Sequence, residues 1–340
     1  TGPGFAAALI VNVKPFDVPP PGAGLKTVTC AVPCVATSPE LIDAIIVTHA
    51  HLDHSGFLPR LVKLGFAGSI NLTHYTGKLA EVILRDSARI QTEDAEYAKK
   101  KSFSKHNPPL ALYDEADVLN TLELFQEQPF NQRVKVADST YVTFHPSGHI
   151  LGAAFVEVEF FGKRLLFTGD MGRDDHPLLV APGGVPAGHF DAIITESTYG
   201  DREHAPTTGD FEQVIRETCA GGGSVLVPAF AVDRTEVILV RLRQAMEAGN
   251  IPRVPIYADS PMALKALAYY RQAIDVLLAL PVELNNRISS IKAITKDNVQ
   301  LTLSGQVSRV VVWGDSSHSI LKSKVLSALL KTTRRSASVI

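Results

Sequence analysis

Short β-rich runs alternate with amphipathic stretches along this chain, and the switching between a period of two and a period near 3.6 predicts a layered α/β protein. Apolar and β-branched runs predict strands at residues 42–47, 141–144, 155–160, 165–168, 192–195, 224–227, 254–257 and 310–313. Helical spacing predicts helices at 57–64 (closed by Gly65), 78–90, 115–125, 211–219, 235–248 and 262–278. Asp233 stands where an N-cap of the fifth helix belongs, with Glu236 three positions on. Gly221-Gly222-Gly223 and the Pro/Gly-rich stretch 181–188 are breaks, the second crossing an edge of the first lobe. Pro19-Pro20-Pro21 fits no regular element.

The 340 residues exceed the roughly 250–300 that one core normally fills, so two lobes are expected. A content of 45% hydrophobic and 20% charged residues excludes a disordered or fibrous chain. No window approaches the ~20 apolar residues of a membrane span, and the start lacks a cationic stretch followed by an apolar run. No membrane partner is therefore expected, and the cytoplasm is the expected address. With 33 Lys+Arg against 35 Asp+Glu, no global field draws the chain to a polyanion, so any nucleic-acid site must be local. Cys30, Cys34 and Cys219 are too few for a disulfide framework, and no second pair completes a zinc finger with the first two. The chain opens on Thr1, the mark expected of a fragment or a processed product.

The densest chemistry lies in Thr48-His49-Ala50-His51-Leu52-Asp53-His54-Ser55-Gly56, directly after a predicted strand. In extended backbone His49 and His51 project to one side, while Asp53 and His54 lie past the bend, so the segment can feed two neighbouring cations. Imidazole with carboxylate suits zinc, or manganese and ferrous iron less tightly, and the lack of thiolates points to an open catalytic site. Two more strands run into glycine-flanked loops: Ser147-Gly148-His149-Ile150-Leu151-Gly152, and Gly169-Asp170-Met171-Gly172-Arg173. An aspartate between two cations can bridge them, and Asp170 is the candidate.

These three segments resemble motifs of the metallo-β-lactamase superfamily. Glu196-Ser197-Thr198-Tyr199-Gly200, the run from Pro228 to Thr235, and Asp259-Ser260-Pro261-Met262-Ala263 resemble its β-CASP branch, similar to the nuclease of the cleavage and polyadenylation specificity factor. The resemblance implies an αβ/βα sandwich at 39–200 and an inserted β-CASP α/β domain at 201–305. It implies two Zn²⁺ ions, with Mn²⁺ as the alternative: His49, His51 and His149 on one, Asp53 and His54 on the other, Asp170 between. It assigns catalytic roles to Asp53 and Glu196 and substrate contacts to Arg234 and Ser260. The implied activity is hydrolysis of phosphodiester bonds in single-stranded RNA, with a homodimer as a candidate assembly. The alternatives are a hydrolase of thioesters or lactones, and an inactive RNA-binding scaffold.

The residues also depart from the pattern. Asp233 and Glu236 stand where the resemblance implies Gly and Gln, and two carboxylates beside a phosphate track repel it. Asp233 and Ser260 also fit simple helix caps. The opening Asp-x-Gly motif is missing before Asp43, and past about residue 305 the closing motifs and last histidine ligand are missing, so the sandwich is expected to be incomplete at its C-terminal end. Ser317-His318-Ser319 mimics them, but His318 reads as a surface histidine. Segments 1–38 and 306–340 are expected to be displaced sequence, as a reading-frame change produces.

Overall fold

Strand β1 (Ala44–Ile46) sends successive side chains to opposite faces, and this alternation organises the first half of the molecule. Ile45 packs with Leu58, Leu61, Phe66 and Ile70, whereas Ile46 packs with Val142, Phe144, Ala154 and Val156. In the computed structural model of the protein, the described residues are 39, 42–198, 200–201, 210–278, 288–295, 298–303, 309–314 and 318–332. Cys30, Cys34, the proline run, Tyr199, Ser317 and residues 333–340 lie outside them.

Strands β2 (Ser69–Thr73) and β3 (Phe125–Gln128) extend β1 into a parallel sheet of order β1-β2-β3. Parallel neighbours need crossovers. Helices α1 (Leu52–Ser55) and α2 (Leu58–Lys63) supply the first, and α3 (His74–Lys101) and α4 (Glu115–Leu122) the second. The Thr73 side chain caps α3 by accepting from the Thr76 amide. The hydroxyls of Thr73 and Thr76 both donate to the Gly152 carbonyl, at 2.6 and 2.9 Å, tying this helix start to the His149 loop.

The second sheet is a meander of β4 (Arg133–Ala137), β5 (Thr140–Pro146), β6 (Ala154–Phe160) and β7 (Lys163–Phe167), with β8 (Ala192–Ile194) added parallel to β7. Val142, Phe144, Val156 and Val158 turn inward toward Ile46, so the two sheets share a core with helices outside the first. This is the layered arrangement expected from the sequence.

Helices α5 (Asp210–Ala220) and α6 (Arg234–Glu247) pack through Ile215, Leu242 and Ala245. Helix α7 (Pro261–Leu278) lays Ala266 and Tyr270 into the main core beside Leu79 and Ile83 of α3. Strands β9 (Ile288–Thr295), β10 (Asn298–Leu303) and β11 (Arg309–Gly314) form an antiparallel sheet of order β11-β10-β9, followed by α8 (Ser319–Thr332). Trp313 and Leu326 join the same core. His318 is exposed, as expected.

Three expectations change. Residues 224–227 and 254–257 are not strands: among the described residues no neighbour pairs with them, and Leu226 and Tyr257 stand exposed. A strand needs a ladder partner, and β-propensity does not provide one. The helix expected at 115–125 ends at Leu122, because the chain pairs in β3 from Phe125. Asp233 does not cap α6: its side chain makes no capping bond, and it accepts instead from His176 Nε2 at 3.0 Å and from the Tyr270 hydroxyl at 3.1 Å.

Beside it, Glu236 is 1% exposed and neither carboxylate oxygen makes a well-aligned hydrogen bond, its weak backbone contacts falling short of offsetting its burial. Burial, helped by the charge of Asp233, pushes its carboxyl from 4.5 up to about 7. Between those values the unfolded chain releases the proton while the folded chain keeps it, so stability falls as pH rises through that window. Glu236→Gln is expected to remove this fall and to raise stability above pH 7 by up to ~3 kcal/mol. Thermal melts of both proteins across the window check it: parallel pH profiles would contradict the assignment.

Candidate metal centre

Where β1 ends, the chain enters the core rather than solvent. Val47 donates to the Asn71 carbonyl at 2.9 Å, and Ala154 donates to the Thr48 carbonyl at 2.8 Å, which fixes the backbone leading into His49. His49 is fully buried, with Nδ1 3.2 Å from Thr48 Oγ1 and Nε2 without a hydrogen-bond partner. His51 is the residue before α1, and Asp53 and His54 lie on that helix. Ser55 donates to the carbonyls of Ala50 and His51, holding the turn closed.

Two more loops meet this turn. Gly172 donates to the Ser147 carbonyl at 2.8 Å and lies so close that a Cβ on it would stand 1.8 Å from the Gly148 oxygen. Gly169 takes φ +52°, where a Cβ would meet Thr48 at 2.8 Å. Gly172 lets the β5 and β7 loops pack backbone to backbone, and Gly169 seats the β7 loop against the Thr48 side chain, which brings together donors more than a hundred positions apart.

His49, His51, His149 and Asp170 each present one donor atom, all within 4.8 Å of one another. The Nε2 atoms of His49, His149 and His54 lie 3.7, 3.5 and 3.3 Å from Asp170 oxygens, and His149 Nε2 lies 3.1 Å from His51 Nδ1. The four rings pack with centroids 4.1–5.0 Å apart.

Burial first, then neighbouring imidazoles, holds His49 well below the usual histidine range. Burial also lowers His51 and His149. For His54 burial works downward, but the hydrogen bond and charge of Asp170 outweigh it and the net shift is upward. Burial pushes Asp170 upward, yet His54, His49 and His149 bring it down to about 2. The set is thus three imidazoles held toward the neutral form, a fourth, His54, held toward the charged form by Asp170, and an ionised carboxylate, with a buried nitrogen lacking a partner. That is a donor set able to hold a metal cation.

The other sequence-derived residues divide. His54 joins the cluster through Asp170, and Asp53 sits at its rim, its side chain 63% exposed and 3.7 Å from His54 Nε2. Glu196 accepts from the Met171 amide at 2.7 Å, which turns it toward the Asp170 loop rather than solvent. Arg234 is exposed at the start of α6, and Ser260 Oγ accepts from the Ala263 amide at 3.1 Å as a cap of α7. Sequence reasoning gave no role to His176 or Tyr270: a lone histidine in a loop and a tyrosine on an amphipathic helix carry no spacing signal.

Comparison with known proteins gives this geometry a context. Residues 35–203 match the family model of the metallo-beta-lactamase superfamily. The chain is 33% identical over 235 residues to ribonuclease TTHA0252 of Thermus thermophilus, covering 68% of this chain and 49% of that protein. It is 32% identical over 238 residues to endoribonuclease ysh-1 of Neurospora crassa, covering 68% of this chain and 26% of that one. With cleavage and polyadenylation specificity factor subunit 3-I of Arabidopsis thaliana the identity is 33% over 238 residues, 68% of this chain and 32% of the other. The chain therefore spans half or less of the length of these curated relatives.

Because Gly172 has no room for a side chain, Gly172→Ala is expected to force the loops apart, costing about 2 kcal/mol or more. A melting temperature lowered by several degrees in the metal-free chain checks this, and an unchanged melt would show that the loops are not packed as described.

Proposed function

Residues 35–203 belong to the metallo-beta-lactamase superfamily, and from that premise we propose that the chain is a metal-dependent ribonuclease of the β-CASP branch, acting on single-stranded RNA. The observation that carries the proposal is the convergence of His49, His51, His149 and Asp170 around the partnerless Nε2 of His49. In this reading two Zn²⁺ ions, or Mn²⁺, are held by His49, His51 and His149 on one side and by Asp53 and His54 on the other, with Asp170 shared. Residues 39–200 form the lactamase-like part and 201–305 the β-CASP part. When bound, such ions supply electrophilic stabilisation of phosphoryl oxygens and lower the pKa of a water molecule.

The chain's own side chains supply the rest. Thr48, against Nδ1, orients His49 so that Nε2 faces the donor cluster. Asp53, exposed at the rim, can take a proton from an entering water molecule. Glu196, anchored on the Met171 amide beside Asp170, helps to organise protonation of the leaving oxygen. Arg234, at the exposed start of α6, offers a guanidinium to backbone phosphates, and Ser260 offers the first turn of α7.

The test is digestion of a labelled single-stranded RNA by the metal-loaded chain, alongside a duplex and a generic thioester. RNA cleavage abolished by a chelator and restored by zinc or manganese is the expected result. Bound metal with intact RNA would favour an inactive scaffold, and thioester turnover alone would favour another hydrolase. His51→Ala and Asp170→Ala are each expected to lower bound-metal stoichiometry and to abolish cleavage, and elemental analysis showing unchanged metal would overturn the donor assignment.

A further inference from the structure

A second set of polar groups, with Tyr270 buried and His176 and Asp233 partly buried, lies within electrostatic reach of the donors. His176 Nδ1 accepts from the amides of Leu178 and Leu179, at 3.2 and 3.1 Å. Its ring proton must then sit on Nε2, which donates to Asp233 Oδ2 at 3.0 Å. The Tyr270 hydroxyl donates to Asp233 Oδ1 at 3.1 Å and accepts from the Leu151 amide at 3.1 Å. One continuous hydrogen-bond chain thus runs from the loop after Asp170, through the start of α6 and the middle of α7, to the loop two residues past His149.

The backbone at its centre is strained. Asp233 has φ +70° and ψ −56°, and Arg234 donates to the Val232 carbonyl at 2.9 Å, which makes a γ-turn of the uncommon positive-φ kind. Glycine would adopt this conformation freely, whereas an aspartate occupies it under strain. The two bonds to its carboxylate offset that strain. Burial, then the charge of Asp233, pushes the Tyr270 phenol well above its ordinary value, so it stays protonated and remains a donor. The charge of Asp233 also reaches His149.

We propose that His176, Asp233 and Tyr270 are positioning residues, a strut by which α6 and α7 hold the His149 and Asp170 loops at the spacing their donor atoms need. The proposal rests on reading those donors as a metal centre. Groups that orient ligands in this way commonly change metal affinity by about 10–100-fold when removed.

The test uses the full chain with Asp233→Gly, Asp233→Asn, Tyr270→Phe and His176→Gln. Cobalt(II) is titrated against a competing chelator and followed by its visible absorption. Each variant is expected to bind about 10–100-fold more weakly, with an altered spectrum. The metal-free Asp233→Gly chain is expected to keep its melting temperature within a few degrees, because glycine relieves the turn that the lost bonds no longer hold. In the metal-free wild type, nitrogen-15 spectra of the histidine rings are expected to show His176 as the Nε2–H tautomer with a protected proton, lost in Asp233→Gly. Wild-type cobalt affinity and spectrum in the folded variants would overturn the strut while leaving the metal centre standing. So would lowered stability with unchanged affinity, the mark of packing alone. A wild-type chain that takes up no cobalt would overturn the metal reading and the strut's purpose together. If Tyr270→Phe does not fold, Asp233→Asn, which keeps the bulk and polarity but removes the charge, decides the matter by the same readouts.

Discussion

A neutral imidazole nitrogen sealed in the interior with nothing to bond is costly, and the upper end of the sandwich is organised around that cost. His49 is buried because β1 runs into a second sheet rather than into water, and the same burial strips its proton. Asp170 answers with a full negative charge that three neighbouring histidines keep ionised. Neither group is comfortable alone. Together they make a pocket of lone pairs whose natural complement is a small doubly charged ion, and the glycine contacts, threonine anchors and short helix α1 serve to keep those lone pairs aimed at one point.

Much of this was legible in the sequence. The density of ligand-type side chains from His49 to His54 needs no tertiary knowledge to be noticed, and the strands that deliver His149 and Asp170 declare themselves through alternation ending in glycine. Strands β5 and β6 followed from the same alternation, since Val142, Phe144, Val156 and Val158 all point one way, whereas the sandwich that joins the two sheets was implied only by the resemblance. What stayed hidden depends on partners far apart in the chain. Nothing local distinguishes an aspartate that caps its helix from one that turns away to a histidine 57 positions earlier, so the role of Asp233 emerges only once His176 and Tyr270 are brought to it.

The two unpaired apolar segments teach the complementary lesson. Residues 224–227 and 254–257 have the composition of buried strands, yet ladder hydrogen bonds come from neighbours and not from composition. Short polar strands went the other way: β3 and β4, with sequences FQEQ and RVKVA, pair well because β2 and β5 lie ready beside them. Propensity is overruled in both directions by what the fold places alongside.

The hydrogen-bond chain through Tyr270 has a consequence for the order in which the protein is made. The donors from His49 to Asp170 are synthesised first, whereas the tyrosine that braces the loop beside His149 emerges about a hundred residues later. A nascent chain therefore passes through a period in which it holds these donors but lacks the brace that spaces them. Loading during synthesis and loading after release are, for this molecule, chemically different events.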